Sequence, residues 1–198
     1  MKFLRAGHDP NDPIDEIEFV SRELKELGLR MEAPLGWASF FASINDRQPS
    51  FILETPTLIH ASSLIVIVMC FLDCRARTEA QFKIDTQRMI RQVNHRRARI
   101  HRARYGQLSG YECTYECSQR VDGTDVLLRE RVFYGHQLGK PLVVLQATTT
   151  RPSSLSQWDP MVRHLWNSVR YLNRAAVKAA IRAKPAARKI RAQRRVSE

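Results

Sequence analysis

Four cysteines fall as two Cys-x-x-x-Cys pairs, Cys70 with Cys74 and Cys113 with Cys117. Their type and number match what a structural zinc site uses. The elements that hold them decide whether they can act together. If both pairs lie on strands, as their runs read, residues four apart are about 13 Å apart, too far to share a metal whose sulfur ligands sit at about 2.3 Å, whereas a helical run at either pair would revive a metal site. Reduced thiols serving as small apolar groups are the reading that remains. A nucleophilic Cys113 or Cys117 needs a base and an electropositive, partly exposed setting, and no spacing in the chain supplies one. The six histidines, His8, His60, His95, His101, His136 and His164, have no metal-ligand spacing on any assigned element. The sequence contains no Gly-rich phosphate loop, Gly-x-Ser-x-Gly elbow, His-Glu-x-x-His helix or carboxylate pair beside a histidine, and its eight glycines are scattered at turns. The expectation is a protein that is not an enzyme, with no catalytic residue, no cofactor and no metal.

Charge points to a different chemistry. The net charge is +12, but it is not spread evenly along the chain. Residues 86–106 hold seven arginines and no acid, and 173–198 hold nine basic residues and one acid, whereas 1–29 hold four basic and seven acidic residues. Any contact with a polyanion therefore belongs to two short segments, through Arg96, Arg97, Arg99, Arg188, Lys189, Arg191, Arg194 and Arg195. Neither segment carries a stacking platform beyond Tyr105, so binding there is expected to be electrostatic and without sequence preference.

At 198 residues, with 43% hydrophobic and 26% charged, the chain fits one core with appendages. Its longest apolar stretch, 64–72, is well short of the roughly 20 residues that span a bilayer. The first fifteen residues lack the apolar run of a secretory signal, so a cytoplasmic location without membrane insertion is expected.

The elements follow from periodicity. Asn11-Asp12-Pro13, then Ile14, Ile17, Phe19, Val20, Leu24 and Leu27 at steps of three and four, predict an N-capped acidic helix that stops at Gly28. Residues 29–34 and 50–55 read as short strands separated by a loop at 45–49. The stretch 64–72, β-branched and apolar on both faces, reads as a central strand. A helix capped by Thr78 is predicted over 78–94, giving way to a strand near Arg99. Tyr111, Cys113, Tyr115 and Cys117 alternate with Glu112, Thr114, Glu116 and Ser118, a strand with one wet face. Asp122-Gly123 turns it into 126–134, and the turn 138–140 leads to 142–149, completing an antiparallel meander. A last helix, capped by Ser153-Ser154 and carrying Leu155, Trp158, Val162, Leu165, Trp166, Val169 and Leu172, should bury both tryptophans. The Ala/Arg/Lys tail 173–198 offers little for a core. The divisions are 1–29, an N-terminal acidic helix extension; 30–172, the domain; and 173–198, the basic tail.

This order of elements, with Met31-Glu32-Ala33-Pro34-Leu35-Gly36-Trp37, Leu127-Leu128-Arg129-Glu130-Arg131-Val132-Phe133 and Leu145-Gln146-Ala147-Thr148-Thr149-Thr150-Arg151-Pro152, resembles the DcrB-like branch of the PsbP-like superfamily. The last motif is similar to the Thr-rich strand end and proline of the Eag chaperones of type VI secretion effectors. The resemblance, over about 30–172, implies an α/β/α sandwich around a curved, mostly antiparallel sheet. It also implies a non-catalytic chaperone or adaptor that shields a hydrophobic, transmembrane-helix-like segment of an effector. Phe51, Leu53, Ile65 and Ile67, on strands that resemble the client-facing strands of those chaperones, are the expected groove. The partners so implied are an effector with a hydrophobic N-terminal segment and a second copy of the chain as a homodimer. A weak nucleic-acid contact through the tail belongs to the alternative, a nonspecific nucleic-acid or anionic-surface binder acting through 88–104 and the tail.

Overall fold

The computed structural model describes residues 17–44, 48–55, 64–75, 78–92, 99–121, 123–149, 156 and 158–172. In chain order these form β1 (Phe19–Leu24), β2 (Leu29–Pro34), β3 (Ala38–Ile44), β4 (Gln48–Glu54), β5 (Leu64–Arg75), α1 (Glu79–Gln92), β6 (Arg99–Tyr105), β7 (Leu108–Val121), β8 (Thr124–His136), β9 (Pro141–Thr149), α2 (Asp159–Ser168) and β10 (Arg170–Tyr171). The fold is α+β. A seven-stranded sheet runs β3-β4-β5-β9-β8-β7-β6 and a small sheet runs β1-β2-β10. Every described pairing is antiparallel.

The large sheet joins two meanders, β3-β4-β5 and β6-β7-β8-β9, along a β5–β9 seam. Helix α1 connects them, from the seam strand β5 to the far edge β6. Thr78 caps α1 as its sequence predicts: its Oγ1 accepts the Gln81 amide at 3.2 Å. Phe82 and Ile90 of α1 are buried against Cys113, Val132, Tyr134, Leu142 and Val144, which defines the outer face of the sheet.

The inner face carries the larger core. Phe51, Leu53, Leu64, Val66, Val68, Phe133, Val143, Leu145 and Ala147 meet Met161, Val162, Leu165 and Trp166 of α2 and Leu29, Met31 and Ala33 of β2. In β2 the buried residues alternate with exposed Arg30 and Glu32, the period of a strand with one dry face. Trp37 and Trp158 meet edge to face at 5.9 Å, a favoured geometry for aromatic quadrupoles.

Two expectations are corrected. The N-terminal helix is not formed over its described part: Phe19–Leu24 is a strand paired with β2 from Phe19↔Pro34 to Leu24↔Leu29. The step-three and step-four spacing is overridden because a tight turn, with Gly28 at φ 66 and the Leu27 amide donating to Leu24 O, folds the segment back and buries Leu24, Leu27 and Leu29 together. Positions 11–16 of that helix lie outside the described residues.

The last helix, Asp159–Ser168 with a proline in its first turn, ends sooner than expected, and its expected cap at Ser153-Ser154 and Leu155 lie outside the described residues. It ends because Val169 is extended and Arg170–Tyr171 joins β2 as a third strand, fixed by the Leu172 amide donating to Gly28 O at 2.8 Å. Both tryptophans are buried as expected, Trp158 from the residue before the helix.

Candidate functional site: the outer face and a charged cleft

Residues directly opposite each other in an antiparallel pair share a face. The pairings therefore define rows across the large sheet. One row runs Phe40, Ile52, Ile67, Gln146, Val132, Cys113 and Ile100, one residue from each strand. Helix α1 seals the part of the outer face that holds Val132 and Cys113. Toward β3 the same row is open: Phe40 is 47% exposed, while Ile52, Ile67 and, in the next row, Ile65 are half-buried and belong to neither core. Polar groups border this apolar end. Gln146 Nε2 donates to Thr148 Oγ1 at 3.3 Å, and the Tyr115 hydroxyl donates to Glu130.

The four groove residues expected from the sequence are divided between the faces. Ile65 and Ile67 lie on the outer face. Phe51 and Leu53 do not: they pair with Val68 and Val66, point to the inner face, and are 4% and 0% exposed within the main core. Their place on a shared groove is therefore corrected. Phe40 and Ile52 share the outer face with Ile65 and Ile67, and the sequence did not single them out because a one-residue change of register exchanges the faces.

Cys113 lies under α1, and burial pushes its thiol up to about 12, with Glu112 adding to the effect, so it is a core thiol rather than a nucleophile. Cys70 is buried on the other face and belongs to the main core. The side chain of Cys74 lies outside the described residues, as do Arg96, Arg97, Arg188, Lys189, Arg191, Arg194, Arg195 and the side chain of Arg99. Among the described residues no group of three metal-ligating side chains occurs, and no helix is long and apolar enough to cross a membrane.

A second arrangement, unforeseen from the sequence, lies where β6–β8 meet α2. Glu112 and Arg131, both almost fully buried, face each other there. Arg131 Nε donates to Glu112 Oε1 at 2.7 Å and Nη2 to Oε2 at 3.2 Å. The Tyr105 hydroxyl donates to Oε2 at 2.5 Å and accepts from Arg131 Nη2 at 2.6 Å. Arg131 also donates to Asp159, which accepts from Arg163 Nε at 2.6 Å.

Burial, reinforced by the Glu112 hydrogen bond, pushes the Tyr105 phenol up to about 12. Burial pulls the Asp159 carboxyl upward, but Arg163 and Arg131 outweigh it and hold it below its ordinary value. The Arg131 guanidinium lies 5.2 Å from the Trp166 ring centroid. The network ties the start of α2 to the sheet with its charges compensated, and it forms the floor of a cleft of about 690 Å³ rimmed by His101, Arg102, Arg104, Arg129 and Arg163. The cleft presents basic side chains, several of them paired with carboxylates, and the outer face toward β3 presents apolar ones.

No family model matches the sequence, and no curated protein matches it. Two of the similar solved structures are the following. One is a crystal structure from Bacteroides thetaiotaomicron VPI-5482, at 9% identity and TM-score 0.48 over 75% of this chain. This chain spans 46% of that protein. The other is LpqN, described as involved in cell envelope biogenesis of Mycobacterium tuberculosis, at 10% identity and TM-score 0.46, covering 83% of this chain and 100% of that one.

Proposed function

We propose that the protein is a non-catalytic chaperone or adaptor that grips an apolar, transmembrane-helix-like segment of a type VI secretion effector and holds it for loading. One observation carries the reading: helix α1 closes only part of the outer face, and beside it Phe40 is exposed and Ile52, Ile65 and Ile67 are only half-buried. Covering such a strip gains about 25 cal/mol for each Å² of apolar surface removed from water, a non-directional gain suited to clients that share hydrophobicity rather than sequence. The motif resemblance to the secretion chaperones supports the choice of client.

The test uses a fluorescein-labelled helical peptide of about 20 leucines and alanines, the length of a bilayer span. Wild-type protein is expected to bind it, and Ile65→Asp and Ile67→Asp proteins that melt normally are expected to bind at least about tenfold more weakly, the loss that follows from about 1.4 kcal/mol. Undiminished binding by the folded variants rejects the assignment.

The arginine-rimmed cleft favours a second reading, electrostatic binding of a nucleic acid or another anionic surface. It predicts heparin retention that falls as salt rises and falls further in Arg104→Ala and Arg163→Ala proteins. Retention unchanged by both substitutions removes the cleft from this reading.

A further inference from the structure

Strand β10 pairs with β2 only through Arg170↔Arg30 and Tyr171↔Leu29, and where it stops a pocket begins. Farther along the same strand the Glu32 amide donates to Ser168 Oγ at 3.0 Å, at the end of α2. The pocket between these elements has a volume of about 400 Å³, and Arg30, Arg170, Ser21, Asn167, Glu32 and His164 are among the residues that line it. Its one carboxylate among the described residues is engaged, with Glu32 Oε2 2.8 Å from His164 Nε2. Like charges set directly opposite each other on neighbouring strands are destabilising, and Arg30 and Arg170 are set in that way. Among the described residues no carboxylate neutralises either one. Glu23, opposite Arg30 on β1, turns instead to Lys25 at 3.7 Å. Arg170 donates from Nη1 to Asn167 O and, at 2.8 Å, to Val169 O, so carbonyls rather than a carboxylate anchor its guanidinium. The group lies over Gly106, where a side chain would collide with it.

The anchoring fixes one guanidinium through Nη1 and leaves its Nε and Nη2 for another acceptor. Arg30 is exposed, and its backbone is about 5 Å away across the strand pair. Asn167 adds a donor, because its Oδ1 accepts the Gly106 amide at 2.9 Å and its Nδ2 is the end left to donate. Ser21 contributes a hydroxyl to the same pocket. Two guanidinium forks with an amide and a hydroxyl beside them can use more acceptors than the two oxygens of a carboxylate, and a phosphate group brings three and a larger charge. We propose that this pocket binds a phosphate group, held between the guanidinium groups of Arg30 and Arg170. The bound anion supplies the negative charge that the opposed arginines lack, so it stabilises the small sheet as it binds. The site stands apart from the outer apolar face and does not depend on the client.

Thermal melts of the full chain in sodium phosphate, with ionic strength held constant by sodium chloride, test the proposal. The wild-type melting temperature is expected to rise by about 2–4 °C once phosphate is several-fold above its dissociation constant. Phosphate also stabilises proteins by being excluded from their surface, an effect that no single side chain controls. Arg30→Gln, at an exposed position, is therefore the decisive comparison. It is expected to melt no lower than wild type without phosphate, because the like-charge pair is gone, and to lose most of the phosphate response. Arg170→Gln is expected to lose the response as well. Co-sedimentation with phosphatidylcholine vesicles carrying phosphatidate separates two sources of the group. Binding that needs Arg30 assigns it to a lipid headgroup, and vesicle binding that ignores Arg30, beside a melting response that needs it, assigns it to a soluble phosphate compound. An equal rise in wild-type and Arg30→Gln proteins overturns the proposal, as does no rise in either. So does an Arg30→Gln protein that melts well below wild type without phosphate, since Arg30 then has a structural partner.

Discussion

The inner and outer faces of the large sheet are built from the same strands and, on β4 and β5, from similar residues, yet they end in different states. Val66 and Val68 are completely enclosed, while Ile65 and Ile67, their neighbours in sequence, are only partly covered. Hydrophobicity does not separate them. The difference is what lies opposite: the inner face receives α2 and the small sheet, while on the outer face α1 packs over the strands of the second meander. Side-chain type therefore marks a residue as able to be covered, and topology decides whether the chain covers it itself.

The largest effect that would sharpen this comparison is at Val66. Val66→Asp places an unpaired charge in the closed core and is expected to cost more than about 4 kcal/mol, enough to unfold a marginally stable domain. Ile67→Asp should cost about 1 kcal/mol or less. Denaturant melts of the two proteins side by side check this, and equal losses would break the distinction between the faces.

Next in size is the buried ion pair on the inner side. Arg131→Met leaves Glu112 charged without its partner and should cost about 3 kcal/mol, whereas adding Glu112→Gln should recover much of it. A double variant as unstable as the single one would show that the pair contributes through more than charge compensation.

The smallest expected effect concerns the covering of the outer face by α1. His136 stacks on Phe82 at 3.6 Å with its Nδ1 2.8 Å from Ser109 O, and burial lowers its pKa despite that hydrogen bond. A histidine with a lowered folded pKa contributes stability that is present above its ordinary value of 6.5 and is lost as the pH falls through the folded pKa. Thermal stability should therefore decline modestly below about pH 6.5, and His136→Phe should flatten that decline. An unchanged slope would remove His136 from the account.

The legible parts of the sequence were those where local pattern and tertiary demand agree. Tyr111, Cys113, Tyr115 and Cys117 share one face of β7, and the turn at Gly123, φ 82, sits where the hairpin pairing closes at Val121↔Thr124. The burial of Trp158 and Trp166 was readable for the same reason. The wet face assigned to β7 was only half right: Glu116 and Ser118 are exposed, but Glu112 is buried because an arginine 19 positions away on β8 meets it, and alternation carries no information about a partner on another strand. β1 was misread because six residues satisfy either period, and its hairpin with β2 decides. β3 passed without assignment, since its alanines and serines carry little strand preference. The faces of the four residues were half legible: strand identity came from β-branching, but the pairing of Phe51 with Val68 depends on the register of β4 against β5, which composition does not specify.

The β5–β9 seam has a kinetic consequence. Within each meander, neighbouring strands lie close in sequence, and their contacts form with little loss of chain entropy. The seam brings residue 64 to residue 149, so closing it draws together the ends of a loop that contains α1 and three other strands. Contacts of high sequence separation set the pace of folding, and the main core needs strands from both sides of the seam. The two meanders are therefore nuclei that form early and stay unstable alone, and the barrier lies at their joining, where the exposed seam edges are also most open to mispairing.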